Sequence, residues 1–145
     1  MVEFWPTSFQ QMAGLVAYYN THNHAYLHVT HAEGAGRVLG VVSTDSGVYR
    51  EDPERVPLGD TPRVWLRVRF DLDRFRFWYA LEPGSWLPIS AELPTALLSD
   101  EHATRFEHDN IATSFGFTGA FVGLACQDLS GARLPADFDS FAYRS

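Results

Sequence analysis

Apolar and polar residues alternate with a period of two along most of this chain, and Gly, Pro, Asn and Asp interrupt the alternation at short intervals. No stretch sustains the 3.6-residue apolar repeat of an amphipathic helix. The pattern predicts strands over Val2–Phe4, Met12–Tyr19, Ala25–His31, Arg37–Ser43, Val64–Phe70, Phe75–Leu81, Trp86–Ile89, Gly119–Cys126 and Phe138–Tyr143. "AELPTALLSDEH" is the only helix-like piece, and Pro94 limits it to about one turn. "YREDPERVPLGDTPR" reads as a polar, proline-rich loop rather than a linker between domains, because the same alternation resumes after it.

The clearest unit is "VWLRVRFDLDRFRFWYAL", a hairpin with Val64, Leu66, Val68, Phe75, Phe77 and Tyr79 on a core face and Trp65, Arg67, Arg69, Arg76 and Trp78 on the other. If Asp71 pairs with Arg74 across the turn, Arg67 falls opposite Trp78 and within reach of cation–π stacking. "MAGLVAYYN" and "GAFVGLACQ" are apolar at both parities and predict strands covered on both faces. Short strands of this kind without helices imply an all-β, two-sheet sandwich in which residues 1–145 form a single domain.

Composition narrows the function. The chain contains no Lys, and its 11 basic residues, all Arg, are outnumbered by 18 acids, for a net charge of −7. Phosphate backbones would be repelled, so nucleic acid is not an expected partner. No apolar run approaches the ~20 residues of a membrane helix, and "MVEFWPTSF" lacks the features of a signal peptide. Together with a lone Cys126, read as a small buried hydrophobe, this points to the cytoplasm.

Candidate chemistry is sparse. In "HNHAYLHVTH", His22, His24 and His28 share one strand face and could ligate zinc, yet no acidic or Cys ligand is placed beside them and a polar sheet face explains them better. Asp71 and Asp73 could be a glycosidase pair, but they fall at a hairpin tip where Asp serves the turn. Trp65, Trp78 and Arg67 suit sugar stacking or contact with another domain, against the plain alternative of a solvated face. Asp137 and Asp139 in "LPADFDSF" are weak calcium candidates, and no other metal or cofactor is expected.

Five stretches, "FQQMAGLVAYYN", "YLHVTHAE", "RVLGVVSTDSGV", "GFTGAFVGLACQDLSG" and "LPADFDSFAYR", occur in an order and spacing that resembles the C-terminal domain of glycoside hydrolase family 43 β-xylosidases. The resemblance runs from Phe9 to Arg144. It implies a concanavalin A-like sandwich, or jelly roll, packed against an N-terminal β-propeller that carries the catalytic carboxylates, so no catalytic residue is expected in this chain. It further implies that a loop of this domain sets a Phe at the rim of the propeller's sugar pocket. Phe117 in "SFGFTG" is the first candidate and Phe115 the second, with Gly116 and Gly119 permitting a tight loop.

Two departures from the family pattern stand out. "LEPGSW" keeps Gly84 and Trp86 but lacks the family's Asp-Gly turn. The resemblance also begins one or two strands inside the family domain, which would leave sheet edges uncovered and favour a homo-oligomer. The expected function is therefore that of a non-catalytic accessory domain of a xylan-degrading β-xylosidase, with the propeller as its partner. The alternative is a stand-alone module that stacks xylo-oligosaccharides on Trp65, Trp78, Tyr18 or Tyr26.

Overall fold

The computed structural model describes residues 1–106, 112–114 and 116–144. The strands run β1 (Val2–Glu3), β2 (Gln11–Asn20), β3 (Asn23–Ala32), β4 (Gly36–Asp45), β5 (Val48–Pro57), β6 (Arg63–Asp71), β7 (Arg74–Ala80), β8 (Leu87–Pro94), β9 (Arg105–Phe106), β10 (Ala112–Ser114), β11 (Phe121–Asp128) and β12 (Asp137–Phe138). A 3₁₀ turn at Thr95–Leu98 and the single-turn helix α1 (Asp100–Ala103) supply the helical structure among the described residues.

Two antiparallel five-stranded sheets, ordered β12-β1-β6-β7-β8 and β11-β2-β3-β4-β5, face each other across one core. The β9–β10 pair stands apart from both. Period-two alternation explains the layering, because inner-facing Ala13, Leu15, Ala17, Leu27 and Val29 of one sheet meet Val64, Phe75, Phe77 and Ile89 of the other. Leu97 and Leu98 of the 3₁₀ turn plug one end of that core. The predicted hairpin forms in the expected register, with Asp71 opposite Arg74 and Arg67 opposite Trp78.

Three expectations are corrected. "YREDPERVP" is not a loop but strand β5, paired with β4 along its length except for a bulge at residues 52–54. Only residues 58–62 connect without regular structure, and the Arg37 guanidinium donates to the carbonyls of Gly59, Thr61 and Pro62 to hold them. β11 is not covered on both faces as its composition suggested: it is the outermost strand of its sheet, with Val122 packed against the core but Phe121 and Leu124 exposed. Cys126 on that strand, opposite Ala13 in the ladder, is likewise exposed and not a core residue, because β11 is the outermost strand of its sheet.

Candidate functional site

Residues 116–120 form a tongue that leads into the edge strand β11. Its base is clamped. Tyr19, buried at the end of β2, donates its hydroxyl to Asp100 Oδ1 at 2.6 Å and accepts from the backbone N–H of Thr118 at 3.3 Å. Thr104 Oγ1 donates to the Asp100 carbonyl at 2.8 Å and accepts from the Gly116 N–H at 3.1 Å. A Cβ on Gly116 would lie 2.3 Å from the Asp100 carbonyl oxygen and 2.7 Å from the Tyr19 hydroxyl, so the approach admits only glycine. Gly119 turns the chain at φ +74°, a left-handed conformation that a side chain would strain.

Between these glycines Phe117 is 76% exposed. Phe115, the second candidate, lies outside the described residues. A second polar link stands at the same end of the molecule. His102 of α1 donates from Nε2 to Asp45 Oδ1 at 2.7 Å, and this hydrogen bond holds the Asp45 carboxyl below its usual range. Ser99 caps α1 by accepting from the His102 N–H. Sequence reasoning overlooked Tyr19, Asp100 and Thr104, because their roles arise from contacts as distant as 99 positions along the chain.

The other candidates disperse. Trp65, Arg67 and Trp78 do share the outer face of the β6–β7 hairpin, but the Arg67 guanidinium stacks on Trp86, 3.8 Å from the ring centre, and not on Trp78 as its register suggested. Asp137 lies directly across from Glu3 in the β1–β12 ladder, and Asp139 donates its N–H to the Met1 carbonyl. Among the described residues no three His, Cys, Asp or Glu side chains gather as a metal site. His22 sits in an exposed turn. His24 packs beside Tyr18, and His28 is buried beside Tyr26, its ring centre 4.9 Å away. Burial pushes the His28 pKa down to about 4, and nearby Arg55 lowers it further while Glu51 and the Tyr26 carbonyl oppose the shift. Tyr26 is only 6% exposed and donates to the Ala125 carbonyl, so it cannot serve as a sugar platform.

An opening of about 580 Å³ enters the sandwich beside β11. Inner-face Leu15, Leu66, Val68, Val122 and Leu124 line it with Phe138. Among the described residues no helix is long and apolar enough to cross a membrane.

The layered antiparallel sheets define a concanavalin A-like β-sandwich. Over residues 1–144 the sequence matches the family "Beta xylosidase C-terminal Concanavalin A-like domain", and the chain belongs to that family. It is 39% identical over 145 residues to a β-xylosidase of Bacillus subtilis (strain 168), covering 99% of this chain and 26% of that protein. It is also 39% identical over 146 residues to a putative β-xylosidase of Escherichia coli (strain K12), covering 98% of this chain and again 26% of the relative. Among solved structures, a xylan β-1,4-xylosidase from Bacillus halodurans C-125 superposes with a TM-score of 0.82 at 37% identity, across 93% of this chain and 24% of that one. The chain thus spans about a quarter of the length of the relatives it matches.

Proposed function

We propose that this domain works as a wall. Seated against a catalytic β-propeller of a xylan-degrading β-xylosidase, it sets Phe117 at the mouth of the propeller's pocket and limits how many sugar units enter. The observation that carries this reading is the clamp under the tongue: Tyr19, Asp100 and Thr104 fix both sides of an exposed aromatic ring. A rigid aromatic with two side-chain torsions loses little entropy when a sugar packs on it, so it shapes a pocket at small cost. The domain itself performs no hydrolysis in this scheme.

Replacing Phe117 by Ala in the full-length enzyme should lower kcat/KM for xylobiose and leave the unfolding midpoint unchanged. Equal kinetics for the two forms would overturn the proposal. The isolated chain should also leave nitrophenyl xyloside uncleaved.

A further inference from the structure

The outer face of the β6–β7–β8 sheet holds a second feature, independent of the tongue. Arg69 of β6 and Arg76 of β7 are directly opposite in the ladder, with Arg74 next along β7 on the same face. Like charges directly opposed destabilise a sheet, and none of these three arginines forms an ion pair with a described residue. They border a hollow of about 210 Å³ together with Trp78, Asp71 and Glu92. Three cations against two acids leave a local positive surplus on a chain whose net charge is −7.

The hollow is shaped by the backbone. Between Phe75 and Phe77 the β7–β8 register shifts, because β8 bulges opposite Arg76. Ser90, in the bulge, takes φ 62°, a left-handed conformation uncommon for a residue with a side chain. Its N–H donates to Glu54 Oε2 of β5 at 2.8 Å, and its carbonyl accepts from Arg76 Nε at 3.0 Å. That contact occupies Nε, and no described residue takes up the two terminal nitrogens of Arg76, which lines the hollow with Trp78. Bulges and left-handed non-glycine residues concentrate where a side chain must be aimed.

We propose that this hollow binds the carboxylate of an acidic sugar, a uronic acid carried on an oligosaccharide. Planar guanidinium groups match a carboxylate with paired N–H donors, and an indole face accepts the apolar side of a pyranose ring. A simple anion would use the arginines alone; the neighbouring Trp78 selects a ring that bears the charge.

The test is calorimetric titration of the 145-residue chain with xylotriose bearing one glucuronic acid branch, with unsubstituted xylotriose and with acetate. The acidic oligosaccharide should bind saturably, and at least about tenfold more tightly than either comparison ligand. Its affinity should fall as salt is added. Arg76→Gln and Trp78→Ala should each weaken it by about tenfold or more, while Arg69→Gln, which relieves the opposed charges, should weaken binding without lowering the unfolding midpoint. Equal affinity for acetate would reduce the hollow to a general anion patch, and undiminished binding by Arg76→Gln or Arg69→Gln would likewise overturn the assignment. Absence of binding would do the same.

Discussion

Tyr19 and Asp100 are 81 positions apart in sequence, yet the tyrosine hydroxyl lies 2.6 Å from the aspartate and joins the end of a core strand to the short helix under the tongue. The same oxygen receives the Thr118 N–H, so one hydroxyl serves both partners. Tyr19→Phe removes both bonds while keeping the ring, and should cost about 1–3 kcal/mol as Asp100 and the Thr118 N–H lose their partner. Gly116→Ala should cost about as much by overpacking against the Asp100 carbonyl. Urea unfolding measures both, and limited proteolysis should show the tongue cut first in each variant. Stabilities equal to the parent's would mean that the tongue does not depend on this clamp.

Arg67 and Trp86 should be coupled energetically. A guanidinium stacked on an indole at an exposed site contributes about 0.5–1 kcal/mol, so a double-mutant cycle with Arg67→Ala and Trp86→Leu should return a coupling of that size. The matching cycle with Trp78→Leu should return less, although Trp78 is the residue across the ladder. A larger coupling with Trp78 would contradict the stacking.

These two cases show what the sequence could reveal. Alternation and the Asp71–Arg74 turn were enough to give the hairpin's register, since a one-residue slip would expose Phe75 and Phe77. Register names the opposite neighbour but not the direction in which a long side chain leans, so Arg67 reached Trp86 at the approach to β8. β5 was hidden because Pro53, Pro57 and its charged residues break the usual signature, and an edge strand tolerates all of them. β11 misled in the opposite sense. Its residues are apolar, but composition does not tell which neighbours a strand will have. The tongue's glycines were legible as loop formers, whereas the clamp beneath them depends on contacts between distant segments.

His28 should make stability depend on pH. Its folded pKa of about 4 lies below the ordinary histidine value of 6.5, so between those values the unfolded chain binds more protons than the folded one. Stability is therefore complete above 6.5 and is lost progressively as pH falls towards 4. The loss attributable to this residue is on the order of 3 kcal/mol, with His24 adding in the same direction. Asp45 and Asp128, whose pKa values are lowered from 3.8, act below that window. Urea titrations at pH 7 and pH 4.5 should show the decline, and His28→Gln should shrink it by more than half. An undiminished decline in that variant would place the titrating group elsewhere.

The isolated chain should self-associate through the side that β11 leaves open. Among the described residues β11 pairs only with β2, so its far edge is open to a further strand. Val122 and Leu124 are opposite Ala17 and Leu15 and face the opening into the core, where Leu124 remains 44% exposed. A second copy can satisfy both demands by aligning its own β11 antiparallel to the first, a self-complementary two-fold contact. An arginine at Leu124 would set an unpaired charge on that inner face and block the pairing. Light scattering should therefore find the parent chain as a dimer or larger and Leu124→Arg as a monomer at the same concentration. A stable, monodisperse parent monomer would rule out this mode of association.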